Sequence, residues 1–77
     1  MGRFKNIPYR KIKKLLEING WHIDRQRGSH ILFVKPGTIR PVVIPYHEKE
    51  IDSYLIREVI KALNISEEEF IEKIKKI

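Results

Sequence analysis

Two turn sequences divide the middle of the chain into three runs that are typical of β-strands. Arg27-Gly28-Ser29 separates a first run, residues 21–26, from a second run that begins at His30. Pro36-Gly37-Thr38 separates the second run from residues 40–45, where bracketing prolines favour an edge position. Because both connections are short, the pattern predicts a three-stranded antiparallel meander.

Alternation along these runs predicts which side chains meet a core. In the first run Trp21 and Ile23 are expected to point inward, which would make it a half-buried strand. In the second run successive side chains point to opposite faces of the sheet. One face carries His30, Leu32 and Val34, and the other carries Ile31, Phe33 and Lys35.

Helical periodicity appears on both sides of the strands. A first helix is predicted from Ile7-Pro8-Tyr9 to Asn19-Gly20, since proline suits a first turn and Asn-Gly ends a helix. A second helix is predicted to begin near Asp52 or Ser53 and to run to Asn64. The apolar side of each is expected to face the sheet.

A third, short helix follows the second. Ser66 and Glu69 have the spacing of a capping box, which marks a helix start. The buried side of this helix is expected to consist of Phe70, Ile71, Ile74 and Ile77. The order helix, three strands, helix, helix predicts an α+β fold, and we expect residues 1–77 to form one domain.

Positive charge is concentrated in the first half of the chain. Residues 1–40 hold ten Lys and Arg against two acidic residues, whereas residues 41–77 hold six against eight. A phosphate backbone would be drawn to the basic half. The distribution therefore favours a nucleic-acid partner over the alternative that a Lys- and Glu-rich composition only forms a solvated surface.

Several classes of protein are disfavoured by what the sequence lacks. Without cysteine, neither disulfides nor thiolate metal sites can form. No apolar run approaches the roughly 18 residues of a membrane span, and no signal peptide is visible. We therefore expect a soluble cytoplasmic protein that makes no membrane contact.

Three histidines are candidates for chemistry: His22, His30 and His47. A metal site is disfavoured because the acidic residues beyond His47 lack a recognisable ligand spacing. A nucleophilic pair of Ser29 and His30 is disfavoured too, because adjacent residues of an extended chain project differently. For His22, solvent exposure or ordinary packing is the simpler explanation.

His30 lies in a different setting, because it begins a strand within a basic cluster. Its imidazole could meet a phosphodiester held by Arg25, Arg27 or Lys35, while a structural histidine remains the alternative. Gly28 either supplies unusual turn dihedrals or allows close backbone approach. We therefore expect nucleic-acid contacts at Arg25, Arg27, Gly28, Ser29 and Lys35.

Six segments, in this order and spacing, carry a family resemblance: Asn19-Gly20-Trp21, Arg27-Gly28-Ser29-His30, Phe33, Val43-Ile44-Pro45-Tyr46-His47, Leu55-Ile56-Arg57-Glu58-Val59-Ile60-Lys61 and Ser66-Glu67-Glu68-Glu69-Phe70. Together they resemble the HicA toxin family of mRNA interferases. The resemblance implies a double-stranded-RNA-binding-like fold and a toxin of a type II toxin-antitoxin system. It also implies metal-independent cleavage of mRNA in the cytoplasm, with no cofactor.

Carried over residue by residue, the family's catalytic histidine falls on His30. The resemblance further implies two partners, mRNA and a HicB-like antitoxin. The chain departs from the family at Ser53-Tyr54-Leu55, where members commonly carry small residues, and this difference bears on antitoxin contacts. Tyr46 and His47 close the third strand, and a structural role is favoured for both.

Two other classes of function remain open at this point. A non-enzymatic RNA-binding module of the same fold would bind RNA by shape and phosphate contacts alone. A protein-interaction subunit would use the basic half to dock an acidic partner. Cleavage of RNA separates the enzyme from both alternatives.

Overall fold

The computed structural model describes residues 7–46 and 50–77 and has the element order predicted from the sequence. The elements are α1 (Tyr9–Ile18), β1 (His22–Arg27), β2 (His30–Val34), β3 (Val42–Pro45), α2 (Ser53–Leu63) and α3 (Glu67–Lys75). The strands form one antiparallel sheet in the order β1-β2-β3. The prediction of an α+β fold with a three-stranded meander is confirmed.

The hydrophobic core lies between the three helices and one face of the sheet. Its buried side chains are Ile7, Ile12, Leu15, Leu16, Trp21, Ile31, Phe33, Val42, Ile44, Ile51, Ile56, Val59, Ile60, Phe70 and Ile74. In β2 the buried residues are Ile31 and Phe33, as alternation predicts. We call the opposite side, which the helices do not cover, the open face of the sheet.

The start of α3 and the end of α2 lie where the sequence predicts, whereas Pro8 precedes α1 instead of lying in its first turn and Asp52 makes no side-chain capping hydrogen bond. The Ser66 hydroxyl accepts a hydrogen bond from the Glu69 N–H at 3.1 Å, which caps the start of α3. Asn64 ends α2 in the left-handed conformation with a φ of 58°, which asparagine tolerates better than most residues. Of the four side chains expected to be buried in α3, Phe70 and Ile74 are buried, whereas Ile71 and Ile77 are partly buried against the core.

Strand β1 differs from its predicted role as a half-buried strand. All six of its residues are exposed. Ile23 lies opposite the buried Phe33, on the core side of the sheet as predicted, but it is 41% exposed rather than buried. Trp21 is buried as expected but lies before the strand rather than within it. The prediction that β1 is half-buried is wrong because β1 is an edge strand that the helices do not cover. Neither set of its alternating side chains is therefore buried.

A β-bulge in β1 determines which face its arginines share. Ile23 lies opposite Phe33 and Arg25 lies opposite Leu32, so Asp24 is an extra residue between the two pairs. With simple alternation Arg25 would share the face of Ile23. The bulge instead turns Arg25, and Arg27 after it, toward the open face.

The described helices have 9 to 11 residues each. Within residues 7–46 and 50–77, none of them combines the length and the apolar character needed to cross a bilayer.

Candidate active site on the open face of the sheet

His30 is the first residue of the central strand and is exposed on the open face. Its cross-strand neighbours are Arg27 in β1 and Pro45 in β3. Side chains directly opposite each other in an antiparallel pair have Cβ atoms about 4.5–5.5 Å apart. The imidazole is therefore open to a ligand and has a cationic side chain as its immediate neighbour.

The position of His30 depends on the turn that precedes it. Gly28 and Ser29 form a two-residue hairpin loop in which Gly28 has a φ of +59°. A Cβ atom at Gly28 would have no other atom within 4 Å, so this site requires glycine for its conformation and not for space. A hydrogen bond of 2.9 Å from Gln26 Nε2 to the Gly28 carbonyl supports the turn. This loop sets the register that places His30 opposite Arg27.

Ser29 connects the hairpin loop to the third strand. Its carbonyl oxygen accepts a 2.6 Å hydrogen bond from the backbone N–H of Tyr46. Alternation turns the Ser29 side chain away from the face that carries His30. Among the described residues the two side chains therefore do not form the nucleophile–base pair that serine catalysis requires.

Two arginines flank His30 at different distances. Arg27 lies directly opposite, whereas Arg25 is a diagonal neighbour at about 7–8 Å. Arg25 Nε lies 3.3 Å from Asp24 Oδ2 in an exposed ion pair, which contributes little to stability but competes for the guanidinium. Of these two arginines, Arg27 lies closer to His30, and it forms no ion pair within residues 7–46 and 50–77.

Lys35 is not part of this cluster. It follows the last residue of β2, five residues from His30, a separation of about 16 Å along a strand. Its Cε atom would lie 3.4 Å from a Cβ atom at Gly20, at the opposite end of the sheet from the hairpin loop. Any RNA contact of Lys35 would therefore involve a different nucleotide from the one at His30.

The other histidines are not beside His30. His22 is exposed at the start of β1, opposite Val34, which is the far end of β2 from His30. His47 lies outside the described residues. Within the part of the chain that the structure describes, no group of three or more His, Cys, Asp or Glu side chains could hold a metal ion.

Two tyrosines meet where the hairpin loop joins the end of β3. The rings of Tyr9 and Tyr46 contact edge to face, with centroids 5.3 Å apart and planes at 83°. Burial raises the pKa of Tyr9, and the charges of Tyr46 and Glu17 raise it further, so Tyr9 stays neutral well above neutral pH. No regular spacing connects Tyr9 to Tyr46, so this contact was not predictable from the residues alone.

The family model described as "HicA toxin of bacterial toxin-antitoxin" matches residues 9–65. The chain belongs to the HicA toxin family. The matched segment runs from the first residue of α1 to just beyond α2, and it includes the whole sheet and His30. Family membership supports the role of a toxin that pairs with an antitoxin. Helix α3 lies outside the matched segment.

Comparison with curated proteins and with solved structures gives no match. The order of helices and strands expected for the HicA family is present, whereas the double-stranded-RNA-binding-like classification stays a prediction.

Proposed function

We propose that this HicA-family toxin is a metal-independent endoribonuclease in which His30 is the catalytic residue. The observation that carries the proposal is the position of His30: exposed, on a face of the sheet that the helices leave uncovered, and opposite Arg27. An exposed histidine at the end of a central strand adds nothing to the core. A phosphodiester on the open face, in contrast, would meet both a proton-transfer group and a cation.

The chemistry of RNA explains why one histidine can suffice. The ribose 2′-hydroxyl is the nucleophile, so the protein need not supply one. Attack of the 2′-oxygen on phosphorus forms a 2′,3′-cyclic phosphate and breaks the bond between phosphorus and the 5′-oxygen. The 2′-hydroxyl loses a proton and the departing 5′-oxygen gains one. His30 would hold or move a proton at one of these oxygens, and Arg27 would offset charge on the phosphoryl oxygens.

The proposed substrate is mRNA, and the proposed partner is a HicB-like antitoxin. Both proposals rest on the family and on the excess of Lys and Arg in residues 1–40. An antitoxin with acidic side chains over Arg25 and Arg27 would cover His30 and exclude RNA by occupancy, without deforming the toxin.

Incubating the purified protein with RNA in excess EDTA tests the proposed activity. We expect cleavage that leaves 2′,3′-cyclic phosphate ends at a rate that EDTA does not change. Cleavage only after a divalent metal is restored would overturn the metal-independent mechanism. Binding without cleavage would favour the RNA-binding module, and neither binding nor cleavage would favour the protein-interaction subunit.

Replacing Arg27 with alanine is expected to weaken RNA binding and flatten its salt dependence. Log affinity falls as log salt concentration rises, and each lost phosphate contact should make this slope less steep by about 0.7 for a single strand. Arg25→Ala should have a smaller effect, because Asp24 already engages that guanidinium. The affinities should be measured from low to high salt with 2′-O-methyl RNA, which lacks the nucleophile and stays intact. These measurements would give the slopes of both variants.

Arg57→Ala is the matched control for these two variants. Arg57 is exposed on α2, on the helical side of the molecule, and carries the same charge. An equal change of slope in Arg57→Ala and Arg27→Ala would show that net charge, rather than the open face, determines binding.

A further inference from the structure

An exposed aromatic ring lies at the end of the sheet where His30 begins its strand. Tyr46 directly follows Pro45, which pairs with His30, and 55% of Tyr46 is exposed to solvent. The Tyr46 side chain is therefore not part of the core. An aromatic ring that is largely exposed offers a surface for stacking, which is how many proteins hold single-stranded nucleic acid.

Two contacts position Tyr46, one through its backbone and one through its ring. Its backbone N–H donates the 2.6 Å hydrogen bond to the Ser29 carbonyl, which fixes it to the hairpin loop. The ring of Tyr9, on α1, packs against it edge to face at 5.3 Å. A ring that is ordered before a ligand arrives loses little conformational freedom on binding, which favours a role in recognition.

The hairpin loop separates the two groups that an RNA strand would meet. His30 is directed to the open face, whereas the contact with Tyr9 places the Tyr46 ring on the α1 side of the same sheet end. A strand crossing this end could place a phosphodiester at His30 and Arg27 and the adjoining base at Tyr46. Such an arrangement requires an unpaired base, because a base inside a duplex has no free face for stacking.

We propose that Tyr46 stacks on the base next to the phosphodiester cleaved at His30, and that this contact makes single-stranded RNA the preferred substrate. The proposal rests on the endoribonuclease function proposed above and adds a substrate class and a residue to it. Stacking of this kind predicts that Tyr46→Ala lowers RNA affinity roughly 10- to 100-fold. Tyr46→Phe, which keeps the ring, should bind RNA like the unaltered protein.

The test measures the affinity of each variant for single-stranded 2′-O-methyl RNA, together with KM and kcat for cleavable RNA of the same sequence. We expect Tyr46→Ala to raise Kd and KM together, with kcat changed far less. Tyr54→Ala is the matched control, since Tyr54 on α2 is 62% exposed and should leave Kd and KM unaltered. Equal affinities of Tyr46→Ala and the unaltered protein for the 2′-O-methyl RNA would overturn the proposal.

Two further variants separate stacking from a structural role. Tyr9→Leu removes the edge contact but keeps the Tyr46 ring, so stacking predicts a smaller loss of affinity than in Tyr46→Ala. An RNA with an abasic nucleotide beside the cleaved bond should bind the unaltered protein more weakly than intact RNA does. Tyr46→Ala already lacks the stacking ring, so its affinity for the abasic RNA should be little lower than its affinity for intact RNA. Stacking would be contradicted if Tyr9→Leu and Tyr46→Ala lost equal affinity for RNA. It would also be contradicted if the abasic site lowered the affinity of Tyr46→Ala as much as that of the unaltered protein.

The failure of stacking can be told apart from the failure of the enzyme. A protein that cleaves RNA equally well with and without the Tyr46 ring would refute stacking alone. A protein that binds RNA through Tyr46 but never cleaves it would refute the endoribonuclease and, with it, the placement of Tyr46 beside a cleaved bond.

Discussion

Replacing His30 with alanine is expected to lower RNA cleavage by roughly 100- to 10,000-fold, the usual loss when a general acid or base is removed. The fold and most of the RNA affinity should persist, because His30 is exposed and its truncation leaves no cavity in the core. Thermal melts and cleavage rates measured on the same sample would separate the two effects. In cells, toxicity should disappear together with cleavage.

His22→Ala provides the control for this experiment. His22 is exposed on the same sheet but lies opposite Val34, at the far end of β2, so its replacement should leave the cleavage rate unchanged. The assignment of His30 fails if His30→Ala cuts RNA at the unaltered rate. It fails equally if activity falls only in proportion to the fraction of unfolded protein, which is the behaviour of a structural histidine.

Phe70→Ala is expected to destabilise the protein by about 3–5 kcal/mol. Phe70 is one of the largest fully buried side chains, with no exposed surface, although its helix lies outside the segment matched by the family. Small domains have only about 5–15 kcal/mol of stability in total. The melting temperature should therefore fall by at least about 12 °C, which calorimetry or circular dichroism would detect.

Glu72→Ala in the same helix is the comparison, because Glu72 is exposed and its replacement should change stability by at most about 0.5 kcal/mol. A chain shortened to end at residue 65 should lose its cooperative melt, since it lacks both Phe70 and Ile74. If that shortened chain melts like the full one, helix α3 is dispensable and the prediction is wrong.

Local chemistry was sufficient to predict most of the fold. Gly28 marks the first hairpin loop and Pro36-Gly37 marks the second, and alternation places Phe33 in the core and His30 on the opposite face. The start of α3 was predictable because the Ser66 hydroxyl caps the helix through the N–H of Glu69, which is only three residues away. Interactions confined to a few neighbouring residues leave a pattern in the sequence that can be interpreted directly.

The candidate site was only partly predictable, because its geometry depends on pairing between strands. Nothing in residues 22–27 marks Asp24 as the extra residue, yet the bulge there decides that Arg25 faces the same way as His30. Lys35 lies near His30 in sequence, but an extended strand carries it about 16 Å away. The roles of these residues in RNA binding stay predictions.

The two edges of the sheet bear on how this toxin behaves once it is released from an antitoxin. Unpaired strand edges invite a second copy to add its own strand, and this is a common start of aggregation. Here β1 is interrupted by a bulge and carries exposed charges at Asp24, Arg25 and Arg27. Edge strand β3 is only four residues long, follows Pro41 and ends at Pro45, and neither proline has an N–H to donate. These features of both edges disfavour strand pairing between two copies of the chain. Toxin released from an antitoxin is therefore protected from aggregation through its sheet edges.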